Sequence, residues 1–240
     1  MTISHKLHSL RRLQGFRSIL ALAWLGAAAP AIAAGDAGKD LAPLFTQDGA
    51  PAGWVVRAWD DVSQPAKAEW NVEDGVLHGG EPRGTWLMCE QEYGDFELEF
   101  EFKIGPMGNS GLALRAPMKG DPAFDGMELQ MSEFKYNESA KPSELTGGLY
   151  RAIAPSKDVY RSGEWNAYRV VLKGSRLQAW LNGEAIHDLD LDEQEQVVKR
   201  HDGTDAPPIK ARPRRGHIGF QNLSRGEGEV LIRKARLREL

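Results

Sequence analysis

The chain has 240 residues, with 30 Lys and Arg against 34 Asp and Glu and a formal net charge of −4. An acidic balance with no basic, aromatic-interleaved patch repels phosphate backbones and excludes a nucleic-acid partner. A single cysteine, Cys89, excludes an internal disulfide and reads as a small buried residue rather than a nucleophile.

In chain order, the first segment reads as an export signal. His5, Lys6, Arg11, Arg12 and Arg17 lead without an acid, residues 18–29 are apolar, and Ala31-Ile32-Ala33 supplies small residues for a signal peptidase. The apolar run is about a dozen residues, short of the roughly 20 that a spanning helix needs. Residues 1–33 are therefore expected to be removed and residues 34–40 to form a short linker. That leaves 207 residues carrying 26 bases and 34 acids, a net charge near −8 and a length suited to one domain over residues 41–240. No later segment is long and apolar enough to span a bilayer, and the export signal makes the periplasm the expected location.

The remainder reads as short strands separated by turns. Residues 70–72 and 76–78 flank Glu73-Asp74-Gly75, a tight-turn signal. Over residues 95–104, Phe96, Leu98, Phe100, Phe102 and Ile104 alternate with Glu97, Glu99, Glu101 and Lys103, which predicts one face on a core and the other in water. Tyr168, Val170 and Leu172 precede Gly174-Ser175; Leu177, Ala179 and Leu181 precede the hairpin signal Asn182-Gly183; residues 230–240 close the chain as a strand. This pattern predicts an all-β sandwich or barrel. Residues 135–144 and 193–215 read as loops, with a short helix expected over 192–199.

Two runs carry candidate chemistry. In Asn109-Ser110-Gly111-Leu112-Ala113-Leu114-Arg115, regular alternation places Asn109, Gly111, Ala113 and Arg115 on one face, small residues beside a fixed donor. In residues 126–133, Met127, Leu129 and Met131 alternate with Glu128, Gln130 and Ser132, and a one-residue bulge would bring Glu133 beside Glu128. Two co-facial carboxylates suit general acid and base work; a merely solvated polar face, or Arg115 paired with an acid, is the plain alternative. Tyr150, Trp165, Trp180 and Gln221 are candidate sugar contacts, with core packing as the alternative for the aromatics. His187, His201 and His217 lack metal-ligand spacing, while a divalent cation held by scattered acids stays open. No nucleophile elbow, P-loop or dinucleotide fingerprint occurs.

The order Gly53-Trp54, Trp70-Asn71-Val72-Glu73-Asp74-Gly75, Tyr93-Gly94-Asp95-Phe96, Asn109-Ser110-Gly111, Glu128-Leu129-Gln130, Thr146-Gly147-Gly148-Leu149-Tyr150, Gly163-Glu164-Trp165-Asn166, Leu181-Asn182-Gly183 and Gly216-His217-Ile218-Gly219-Phe220-Gln221 resembles the 3-keto-disaccharide hydrolase domain family. The resemblance spans about residues 41–240. It implies a two-sheet, concanavalin-A-like jelly roll acting on 3-keto-glycosides in the bacterial envelope, by hydrolysis or by elimination followed by hydration. It differs in one place, where Asn222-Leu223 follows Gln221 and many relatives have an Asp-His pair. The run Glu128-Leu129-Gln130-Met131-Ser132-Glu133 also echoes the Glu-Xaa-Asp-Xaa-Xaa-Glu signature of laminarinase-like glycosidases, with Gln130 in place of the middle Asp. On this reading Glu128 is the base or a hydroxyl anchor, Arg115 (or a divalent metal) stabilises the enolate, and Glu133 donates a proton. Asn109, Gln130, Tyr150, Trp165 and Gln221 then orient the carbohydrate. A lectin-like binding module and a conventional two-carboxylate glycosidase are the competing functions.

Overall fold

A computed structural model describes residues 41–240. The predicted leader and linker lie outside the described residues. Thirteen strands follow in order: β1 Ala42–Pro43, β2 Trp54–Ala58, β3 Glu69–Glu73, β4 Val76–Glu81, β5 Thr85–Tyr93, β6 Phe96–Ile104 and β7 Asn109–Ala116, then β8 Met127–Ser132, β9 Asn166–Lys173, β10 Arg176–Leu181, β11 Glu184–Asp190, β12 Gly216–Asn222 and β13 Val230–Glu239. One short helix, α1 Pro122–Asp125, lies between β7 and β8. The strands form two antiparallel sheets, a jelly-roll-like sandwich. The larger runs β11-β10-β9-β6-β13-β4-β3, with β1 also on β13, and the smaller runs β2-β5-β12-β7-β8.

The alternating apolar residues meet between the sheets. Phe100 on β6 packs edge-on against Phe220 on β12 at 5.3 Å, and Phe102 stacks with Tyr168 at 5.0 Å. Burying each such ring is worth roughly 2–3 kcal/mol. Hairpins form where predicted: Asn182 and Gly183, both at positive φ (53° and 84°), turn β10 into β11.

Two expectations change. Glu97, Glu99 and Glu101 do not stand in water; they are 1–5% exposed. Cationic side chains from neighbouring strands lie over them: Arg169 and Arg238 donate to Glu97, and Arg233 and Lys234 to Glu101. Residues 192–199 do not form a helix; a single 3-10 turn covers Leu191–Glu193.

Candidate active site

The outer face of the smaller sheet carries the polar set of β7 and β8. These strands pair without a register break from Asn109↔Ser132 to Leu114↔Met127. Period-two alternation therefore holds, and Asn109, Glu128 and Gln130 face the same cavity of about 520 Å³. Gln221 joins them from β12, and Tyr150 from the segment after β8.

Three predicted site residues lie elsewhere. Arg115 is a correction: it sits at φ 49° in a bulge, where four residues of β7 (Ala113 to Ala116) lie against three of β12 (Gly219 to His217). The extra residue reverses the alternation, so Ala116 joins Ala113 on the cavity side. The wholly buried Arg115 guanidinium instead donates to Gly94 O (2.7 Å), Gly174 O (2.8 Å) and Asp95 Oδ1 (3.0 Å), tying the β5–β6 turn, which crosses between the sheets, to the β9–β10 turn. Glu133 is a second correction. No bulge interrupts β8, so Glu133 turns away from Glu128 and accepts hydrogen bonds from Tyr160 (2.6 Å) and Ser162 (2.8 Å). Trp165 is a third. It borders the outer face of the larger sheet, with the Arg233 guanidinium 3.8 Å from its ring centre.

Glu128 dominates the cavity. It is 3% exposed, and its Oε1 is buried without a hydrogen-bond partner. Burial, then the charge of Asp121, pushes its pKa well above the ordinary carboxylate range. Gly111 on β7 makes this placement possible. A Cβ there would come within 1.8 Å of Glu128 Oε1, so the space that Gly111 leaves holds the carboxylate itself.

The second acid is Asp121, which the sequence reading did not single out. It caps α1, with Oδ1 accepting from Ala123 N at 3.0 Å, and it lines the same cavity. Burial lifts its pKa to about 7, with the Ala123 N–H opposing and Asp125 adding to the rise. The Asp-Pro pair is a helix-start signal, but which cavity the cap borders depends on tertiary packing. Arg212 fixes that packing by donating to Ala123 O (3.1 Å) and Gly126 O (2.9 Å).

His201 completes the wall, its ring 5.3–5.9 Å from those of Trp59, Phe124 and Tyr150. Desolvation, then Arg151, lowers its pKa and keeps the imidazole neutral. Burial, then Glu128, raises that of Tyr150 and keeps its phenol protonated. Cys89 is buried, and burial pushes its thiol up, as an inert side chain requires. Among the described residues no group of three His, Cys, Asp or Glu is gathered to hold a metal ion, so the donor set does not fit one.

Fold and cavity together define a two-sheet β-sandwich whose polar cavity, on the outer side of the smaller sheet, is lined by Glu128 from β8 and Asp121 from the cap of α1; its family and neighbours are glycosyl-hydrolase-like. The chain belongs to the 3-keto-alpha-glucoside-1,2-lyase-like domain family, which it matches over residues 42–238. Among solved structures, a candidate glycosyl hydrolase from Parabacteroides distasonis ATCC 8503 is similar at 27% identity and TM-score 0.61, over 71% of this chain and 90% of that one. Another from the same organism shares the fold at 24% identity and TM-score 0.57, covering 84% of each chain. No curated protein matches the chain in sequence.

Proposed function

We propose that the protein cleaves 3-keto-glycosides by removing the C2 proton and expelling the C1 substituent, with or without rehydration. The observation that carries this reading is the buried, unpartnered Oε1 of Glu128 in a polar cavity that also holds Asp121. A ketone at C3 acidifies the C2 hydrogen. A base takes that proton, the C2–H electron pair becomes the C1–C2 double bond, and the C1–O bond breaks. The departing oxygen takes a proton. Water adding at C1, with a proton returning to C2, completes net hydrolysis.

The two acids differ in the way this sequence needs. With its pKa near 7, Asp121 is ionised in a large share of molecules at neutral pH and serves as the base. Glu128 is held protonated by burial and gives its proton to the departing oxygen. The Tyr150 hydroxyl donates to the ketone oxygen as negative charge grows there. Asn109, Gln130 and Gln221 meet the sugar hydroxyls. The Glu128–Glu133 pair of a conventional glycosidase is not assembled, because Glu133 faces Tyr160 and Ser162.

The test compares a 3-keto-disaccharide with its unoxidised parent. Turnover of the keto sugar alone, reduced by roughly a hundred- to ten-thousand-fold in Asp121→Asn, supports the reading. Turnover of the parent alone would replace it with ordinary glycoside hydrolysis. Measurable binding of either sugar without turnover would make the domain a lectin. Export rests on the leader, and N-terminal sequencing of periplasmic protein should find a start near Ala34.

A further inference from the structure

The cavity has a cationic end that the proposed chemistry does not use. Arg83, from the turn before β5, and Arg225, from the segment after β12, both line it. They meet around one side chain, Tyr136. Arg83 Nη2 donates to the Tyr136 hydroxyl at 3.1 Å, and the Arg225 guanidinium lies 4.4 Å from the Tyr136 ring centre. Arg83 Nε is fixed by Leu223 O at 2.8 Å, which leaves three of its five N–H groups free.

Neither guanidinium forms an ion pair with a carboxylate among the described residues. The contrast lies within the same wall, where Arg151 is paired with Glu144 at 3.0 Å. In a chain with an acidic balance, two arginines brought to one phenol without an acid make a local positive field. Planar guanidiniums with free donors match carboxylate and phosphate oxygens.

We infer that the substrate carries an anionic group, a carboxylate or phosphate, which Arg83 and Arg225 hold beside Tyr136 while the C1–C2 bond of the sugar lies near Glu128 and Asp121. This rests on the proposed elimination for the position of the sugar. The anion belongs either to the sugar ring, as at an oxidised C6, or to the leaving group.

Two matched pairs of 3-keto-glycosides separate these sources. One pair is phenyl 3-keto-glucuronide and phenyl 3-keto-glucoside. The other is 4-carboxyphenyl and 4-carbamoylphenyl 3-keto-glucoside. Each pair is measured for kcat/KM with wild-type protein and for binding by calorimetry. In one pair the carboxylated member should be favoured by at least about tenfold, the scale of one charge-assisted contact. The ratio should shrink between about 20 mM and about 500 mM salt. It should fall to about one in the double variant Arg83→Gln/Arg225→Gln; because the ratio is taken within one protein, partial misfolding does not mimic this. Equal kcat/KM within both pairs would overturn the anionic subsite while leaving the elimination standing. Tighter binding of a carboxylated member without any turnover would uphold the subsite and sink the elimination. A charge preference that survives in the double variant would assign the anion to other residues and overturn the inference.

Discussion

The proposed roles of Glu128 and Asp121 rest on burial, the largest influence on both, which opposes their ionised forms. The cost of that arrangement is readable in stability. Below the carboxyl's ordinary pKa, folded and unfolded chains are both protonated and the group contributes nothing. As pH rises, the unfolded chain ionises first, and above about 7 the folded chain carries a disfavoured charge at Asp121. Asp121→Asn, which keeps an oxygen for Ala123 N, should therefore be more stable than wild type by up to about 4 kcal/mol at pH 8. The gain should vanish near pH 3.5, as denaturant titrations at the two pH values would show. The rate should follow the same ionisations. kcat/KM should rise with pH through about 7 as Asp121 loses its proton and fall at higher pH as Glu128 does. A rate that declines through pH 7 would exclude Asp121 as the base.

At the scale of elements, the site depends on where the strands keep their period and where they break it. β7 and β8 are in register, which is why Asn109, Glu128 and Gln130 could be placed on one face from alternation alone. A bulge in β8 would bring Glu133 beside Glu128, but β8 is regular and the bulge lies in β7 at Arg115. Nothing in either run marks which strand takes the extra residue, because that is decided by the neighbouring β12. Asp121 was missed for a related reason: a cap residue is local, but the cavity it borders is made by segments distant in sequence. Two substitutions test these assignments. Gly111→Ala drives a methyl into the Glu128 carboxylate and should reduce kcat by at least about tenfold, consistent with a small displacement of a reacting group. Arg115→Ala removes three hydrogen bonds from a buried cation and should cost about 3 kcal/mol of stability with KM unchanged. A raised KM in folded Arg115→Ala would return that residue to the cavity.

At the scale of the whole molecule, the larger sheet carries ion pairs on its outer face and the smaller sheet carries the proposed site. The larger sheet covers Glu97 and Glu101 with arginines and a lysine, while Glu99 Oε1 beside them is buried without a hydrogen bond. The smaller sheet leaves Glu128 Oε1 and Asn109 Oδ1 buried and unpartnered, an unfavourable state that a bound sugar would relieve. Family motifs spread along the whole chain indicated the fold and the family more surely than any one run did. The central claim is C2 deprotonation, and it is tested most directly by running a 3-keto-disaccharide in D₂O and examining the released 3-keto sugar by NMR. Elimination followed by hydration predicts one deuterium at C2, above the exchange seen with Asp121→Asn. Released sugar with protium at C2 would mean that the C1–O bond breaks by direct displacement, and would contradict the account.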